Sequence, residues 1–354
     1  MRFRRRVRGV GPLLIIASLG WLGIGQGHAY DEDGHFYTAA ALQFQRRPRP
    51  LGSSRDQAVL MAFCAQLPDL ANDFDTATLR ITLGGWWAPV QNVTWGSFSQ
   101  CWGSDVQHMV TVHHYLHGLT GTKAEPVTNA AMDTLRSLLA SGPPEANRVC
   151  AAGFAIHLLG DSFAHRRLPS SPDTYGAGWG HTSHKHKPDF ILYNERGQDR
   201  IDLYERYAQK LSDALKLGFD DTQLKALVNM ARGNLRAIPP DNQPASIGNE
   251  FHEAQMIAGL KGSLGGDAQE WAPFNPSLEN FTRKGRNGND AGWRERLVLP
   301  HPCEEVLGFY RSVLPGGSQL NCRRIWETYL GAAVPQFNDM QKIPATCPAE
   351  KTLP

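Results

Sequence analysis

The sequence predicts an all-α fold on three observations. Apolar residues recur at intervals of three and four along most of the chain, no long run alternates with period two, and Gly/Pro-rich stretches punctuate the periodic segments. With 354 residues and 41% hydrophobic content, the chain has enough apolar side chains to bury a sizeable core.

The chain opens on "MRFRRRVRGVGPLLIIASLGWLGIGQGHAY": a basic start, an apolar run from Leu13 to Ile24, and small residues before Tyr30. This is the pattern of a secretory signal peptide over 1–29, cleaved after "GHA", with an uncleaved anchor as the alternative. The apolar run is shorter than the roughly 20 residues of a membrane-spanning helix. Its paired arginines also suit twin-arginine export. The expected location is periplasmic or secreted.

Periodicity then predicts helices over 35–46 and 56–67. Residues 80–103 break the pattern, with Trp86, Trp87, Trp95 and Trp102 set among glycines. That composition suits either a hydrophobic cap over the core or a lid that touches lipid or bases. Helices resume over 104–118 and 127–140, and "SGPPEANRVC" starts another at 145–166, because proline is tolerated in a first turn but cannot continue a preceding helix. Further helices fall at 200–217, 221–236, 245–261, 302–313 and 321–331, and the Gly-, Asn- and charge-rich residues 262–300 read as a long surface loop. No internal repeat or sharp boundary divides the chain, so residues 30–354 are expected to form one domain.

Net charge is only +2 and the basic residues are dispersed beyond the N-terminus, which argues against a duplex-DNA binder. Cys64, Cys101, Cys150, Cys303, Cys322 and Cys347 are an even set in an exported chain, which favours disulfides, and none forms a C-x-x-C pair. Any metal would therefore rely on histidines and carboxylates.

Nine of the thirteen histidines fall between 108 and 186: His108, His113, His114, His117, His157, His165, His181, His184 and His186. Gathered imidazoles repel one another once protonated, whereas a divalent metal takes them neutral. In "GFAIHLLGDSFAHRR", His157, Asp161 and His165 lie within about 80° on one helix face, with a rise of about 12 Å between the two histidines. His157 and Asp161 can share one ion, and His165 would serve a second. The flanking residues are apolar almost all round, so Asp161 needs a partner: a metal, or a salt bridge from Arg166 or Arg167.

With these motifs in order, the chain resembles the zinc-dependent phospholipase C and single-strand nuclease superfamily, exported all-α enzymes that hold three zinc ions. Cleavage after "GHA" puts Tyr30 first and His35 five residues on, matching that family's N-terminal ligand element. The resemblance implies Asp69 in "LPDLANDFD", with Asp73 as the alternative, and His114 in "HHYLHG", with His113 as the alternative. It also implies His157 and Asp161 in "IHLLGDSFAH". One zinc is then expected on Asp69, His114, His157 and Asp161, and a second on Tyr30, His35 and a bridging Asp161. The third departs from the family spacing: His165, His181 and Asp189 are its expected ligands, with His184 or His186 as substitutes for His181.

The activity implied is phosphoester hydrolysis, with Asp69 orienting or deprotonating water. The expected substrate is a phospholipid, approached by peripheral membrane contact, or a single-stranded nucleic acid or nucleotide. Trp86, Trp87 and Arg167 are the expected substrate-binding residues. The alternative from another class is a non-catalytic exported helical protein whose metals fix the fold.

Overall fold

The computed structural model describes residues 33–44, 55–71, 73–74, 104–167, 170–175, 191, 194–195, 198–216, 226, 229, 257–262, 274 and 302–337. Two long helices form its centre. Helix α2 (Arg55–Leu70) is buried continuously from Ala58 to Leu70, and α5 (Ala146–Ala164) from Val149 to Ala164, so both are surrounded by protein on every side. The two pack directly on each other. At the crossing, a Cβ built on Gly153 would lie 2.6 Å from both the Cys64 Cβ and the Met61 carbonyl. Only glycine allows the two backbones to come this near. The Cys64–Cys150 disulfide ties the same crossing, closing a loop of 86 residues.

Around this pair stand a π-helical turn (Asp33–Tyr37) running into α1 (Thr38–Phe44), α3 (Ser104–Tyr115), α4 (Ala124–Ala140), α6 (Ile201–Ala214), α7 (Cys303–Tyr310) and α8 (Cys322–Ala333). The amphipathic helices α4, α6 and α8 turn their apolar faces inward, and buried residues from the described helices join one hydrophobic cluster. The all-α expectation holds: besides helices, the described residues contain one two-residue antiparallel pair, β1 (Asn194–Glu195) and β2 (Gln198–Asp199), and two isolated bridges.

The helix boundaries differ from the expected ones where tertiary packing overrides local signals. Helix α2 runs past the expected end at 67 and takes in Pro68. The buried setting holds the last turn, and the Ala71 amide donates to the Leu67 carbonyl at 3.1 Å to continue it. Helix α3 stops at Tyr115 instead of 118, because the chain turns at Gly118, whose φ of +59° belongs to the left-handed region. Helix α4 starts at Ala124, with Pro126 in its first turn, where a missing amide costs nothing. Within 221–236 and 245–261 the described residues 226, 229 and 257–261 are helical, and the rest of both segments lies outside the described residues.

Fully buried Arg200 fixes the C-terminal end of α5: it donates from Nη1 to the Ala164 carbonyl at 3.0 Å and from Nη2 to the Arg166 carbonyl at 3.1 Å. Its cation therefore sits where the helix dipole is negative. The Cys303–Cys322 disulfide joins α7 and α8, and the Asn321 amide just before α8 donates to Asn147 Oδ1 in the first turn of α5 at 2.9 Å. Cys101 and Cys347 lie outside the described residues. Two disulfides are the chemistry of an oxidising, extracytoplasmic environment. Residues 1–29 are outside the described residues, and among the described residues no helix is long and apolar enough to cross a membrane.

Candidate metal centre

Four elements converge on one buried point. The π-helical turn supplies His35, the last turn of α2 supplies Asp69, the turn after α3 supplies His117, and α5 supplies His157 and Asp161. All five side chains are 0–1% exposed. Asp161 is the hub. Its Oδ1 lies 3.1 Å from His35 Nε2, while its Oδ2 lies 2.8 Å from His117 Nδ1 and 3.2 Å from His157 Nε2. Asp69 completes the ring more loosely, with Oδ2 at 3.8 Å from His35 Nε2 and Oδ1 at 3.8 Å from His157 Nε2.

Local packing explains how these groups meet. A Cβ on Gly160 would sit 2.8 Å from His35 Cε1, so glycine beside Asp161 leaves the space that the His35 ring fills. The ring stacks on His157 with centroids 4.1 Å apart. Helix α6 anchors the segment that carries His35: Tyr207 donates to the Gly34 carbonyl at 3.2 Å, and the Tyr204 and Thr38 hydroxyls share a hydrogen bond at 3.0 Å. Asp69 is oriented by Gln66, whose Nε2 donates to Asp69 Oδ2 at 3.1 Å.

The imidazoles are held by backbone carbonyls, which only accept, and this assigns their protons. His157 donates from Nδ1 to the Ala65 carbonyl at 2.9 Å and so presents Nε2 to the carboxylates. His117 donates from Nε2 to the Phe74 carbonyl at 2.8 Å and presents Nδ1. His165, the C-cap of α5, donates from Nδ1 to the His117 carbonyl at 2.7 Å, and that same nitrogen is 3.8 Å from Asp161 Oδ2. Histidine ligands whose other nitrogen donates to a carbonyl are the usual arrangement around metals, since the bond fixes tautomer and ring direction.

Electrostatics follow from burial and proximity. Burial opposes ionisation of Asp161, but the His157 and His165 charges and hydrogen bonds from His117 and His157 outweigh it, holding its carboxyl well below the usual range. For His117, burial pushes the imidazole down, yet the hydrogen bond and charge of Asp161, with Asp69 and the Phe74 carbonyl, raise it above its ordinary value. His157 moves the other way. Burial and the neighbouring His35 lower it despite the pull of Asp161 and Asp69. On α8, burial and then the Asp161 charge keep the Tyr329 phenol protonated, and its hydroxyl donates to the Tyr115 carbonyl.

These residues fit a divalent metal. Two overlapping triads, His35–Asp69–His157 and His117–His157–Asp161, have donor atoms within 4.8 Å of one another. The separations of 2.8–3.8 Å around the ring bracket the roughly 3.3 Å expected between ligands of a tetrahedral ion with bonds near 2.0–2.1 Å. Buried Asp161 Oδ1 accepts no hydrogen bond among the described residues, although it faces His35 Nε2. Two carboxylates and neutral imidazoles sum to a charge of −2, which one divalent ion balances. Nitrogen and oxygen donors without thiolate suit a divalent transition metal.

Of the residues singled out in the sequence, the structure brings together His35, Asp69, His157 and Asp161, and adds His117. His114 is placed elsewhere: its ring packs against Tyr115 and Phe337, with centroids at 4.8 and 5.3 Å, and burial lowers its pKa to about 4. His113 is buried and belongs to neither triad. The signal for His117 lies in the glycine that follows it, which ends α3 early and takes His117 out of helical register with His113 and His114. Asp73 caps a helix: its Oδ2 accepts the first amide of α7, from Cys303, at 2.6 Å. Neither Arg166 nor Arg167 pairs with Asp161; Arg166 lies over the Phe163 ring at 4.7 Å, and Arg167 is exposed. Tyr30, Trp86, Trp87, His181, His184, His186 and Asp189 lie outside the described residues.

Comparison of the chain with protein-family models, curated protein sequences and solved structures finds no match. Fold and site together define a helical, disulfide-linked protein with buried His/Asp groups able to hold a metal.

Proposed function

We propose that this chain is an exported, zinc-dependent phosphoesterase of the phospholipase C-like kind, and that Asp161 organises its metal site. The observation that carries the proposal is the pair of buried carboxylates ringed by His35, His117 and His157, a mixed oxygen and nitrogen donor set typical of hydrolytic metals. The motif order along the chain, which resembles the zinc-dependent phospholipase C and single-strand nuclease superfamily, supports the reaction class. His35, His117, His157, Asp161 and Asp69 would hold the ion. Up to three ions are expected, with Tyr30, His165, His181 and Asp189 as the further ligands. When bound, such an ion polarises a phosphoryl oxygen and makes water acidic enough to act as a nucleophile near neutral pH.

The two carboxylates have different tasks. Asp161, close against three imidazoles, is committed to holding the site together. Asp69, with oxygens 3.8 Å from His35 Nε2 and from His157 Nε2, would orient a water or accept its proton. Gln66 steadies that carboxylate by donating to Oδ2. Arg167, exposed just beyond α5, would meet the phosphodiester anion, and Trp86 and Trp87 would supply the apolar or stacking contact. A phospholipid is the preferred substrate, and a single-stranded nucleic acid or nucleotide the alternative within the same chemistry.

A second reading, in which the metal only fixes the fold, is favoured by the complete burial of all five side chains. One experiment separates the two. Zinc-loaded mature protein is assayed on phosphatidylcholine vesicles and on a single-stranded oligonucleotide, alongside Asp69→Asn. Hydrolysis by the native chain, lost in a folded and still metal-loaded D69N, supports catalysis. A fully loaded native chain that cleaves neither substrate supports the structural reading.

A further inference from the structure

His117 is held by a neighbour that is itself held from far along the chain. The carbonyl that accepts from His117 Nε2 belongs to Phe74, in the short turn after α2. This turn is closed by the Phe74 amide donating to the Ala71 carbonyl at 2.9 Å. Asp73, just before Phe74, is pinned twice. Its carbonyl accepts from His108 Nε2 at 2.7 Å, and its Oδ2 accepts the Cys303 amide at 2.6 Å. Cys303 is the first residue of α7, whose N-cap, Pro302, has no side-chain hydrogen bond to offer. The Asp73 carboxylate thus does the capping from 230 residues away.

We propose that Asp73 is a positioning residue for the metal centre: by capping α7 it aims the Phe74 carbonyl that decides which ring nitrogen His117 presents to Asp161. The inference rests on reading His117 as a ligand. With the Phe74 acceptor in place, His117 keeps its proton on Nε2 and its Nδ1 lone pair would be available to an ion beside Asp161 Oδ2, 2.8 Å away, and His157 Nε2, 3.1 Å away. If the turn shifts, that proton moves from Nε2 to Nδ1 and is donated to Asp161. The ring then offers no lone pair to an ion, and one Asp161 oxygen is occupied. Residues that orient a metal-bound histidine in this way typically control metal affinity by about 10–100-fold. The Cys303–Cys322 disulfide, which closes the unit that begins at the capped amide, is thereby linked to the same histidine.

The test compares Asp73→Ala with Asp73→Asn in the mature chain. Asparagine still accepts the Cys303 amide, and alanine does not. Long-range 1H–15N spectra of histidine-labelled protein are recorded with zinc in excess, with His117 assigned from H117N. Zinc affinity is measured by competition with a chelator. The proposal expects His117 protonated on Nε2 in the native chain and in D73N, and on Nδ1 in D73A, with zinc binding about 10–100-fold weaker in D73A alone. If D73A does not fold, Asp73→Glu, which displaces the accepting oxygen by one methylene, is expected to shift His117 in the same direction. His117 unchanged in D73A, or an equal loss in D73N, would overturn the proposal, because the packing of Phe74 on Phe154 and Trp326 would then suffice to aim the carbonyl. A native chain that binds no zinc, while the tautomer still follows Asp73, upholds the positioning role and rejects the metal-centre reading.

Discussion

His117 Nδ1 lies 2.8 Å from Asp161 Oδ2, in a place from which solvent is excluded and where the second imidazole nitrogen is already committed to a carbonyl. Without an ion, this contact is satisfied only if His117 carries both protons, making a buried ion pair. Both atoms would also be among those that hold an ion in the proposed centre, so the same two residues are expected to affect the stability of the metal-free protein and its affinity for a cation.

Asp161→Asn removes the carboxylate and leaves His117 buried without its anion. Breaking a buried pair from one side costs about 3–5 kcal/mol, so the urea midpoint of metal-free D161N is expected to fall accordingly at neutral pH. The signs can be checked separately. The raised pKa of His117 contributes stability that is present below about 6.5 and lost as pH rises through its folded value. The depressed pKa of Asp161 contributes stability that is present above the usual carboxylate range and lost as pH falls through its folded value. Urea midpoints of metal-free native protein should therefore decline on the alkaline side, and those of D161N should not. Parallel profiles would show that the pair is not formed.

Gly160→Ala tests the site without touching a donor atom. The new methyl group would stand 2.8 Å from His35 Cε1 and 3.4 Å from Tyr207 Cζ, so the imidazole must move. Zinc affinity measured by chelator competition is expected to drop at least tenfold, while overpacking costs about 1–3 kcal/mol of stability. Unchanged affinity in folded G160A would place His35 outside the centre.

His114 gives a pH effect independent of metal. Burial lowers its pKa to about 4, so below the ordinary value of 6.5 the unfolded chain takes up a proton that the folded chain refuses. This group therefore adds nothing above pH 6.5 and destabilises progressively as pH falls toward 4. His114→Leu keeps the packing on Tyr115 and Phe337 apolar and removes the penalty. The native chain is expected to lose about 2 kcal/mol more than H114L between pH 7 and pH 5, measured by urea unfolding of metal-free protein. Equal losses would mean that His114 is solvated.

Much of this arrangement can be read from local sequence. The apolar character of the segment carrying His157 and Asp161 announces a buried helix, and the spacing of four puts both groups on one face. The double proline at 143–144 marks where that helix can begin. Asp69 and His35 were legible from motif order. His117 was not, because its distinction from His114 depends on α3 ending at Tyr115 and the chain turning at Gly118. The reach of α2 through Pro68 was hidden for a related reason: proline argues locally for a break, and only burial on all sides keeps the turn helical. Asp73 looked like a possible ligand because its partner, the Cys303 amide, is a backbone group at the other end of the chain, which no local pattern reports.

Metal binding by His35, Asp69, His117, His157 and Asp161, without His114, is the proposal on which the others rest. It is tested most directly by the metal content of mature protein purified without added chelator, measured by elemental analysis for the native chain, His117→Asn, Asp161→Asn and His114→Leu. At least one bound zinc-class ion per native chain is expected, with the same content in H114L and a clear loss in H117N and D161N while the helical circular dichroism spectrum is retained. Native protein that remains metal-free after zinc is supplied, or loses its metal in H114L and keeps it in H117N and D161N, would contradict it.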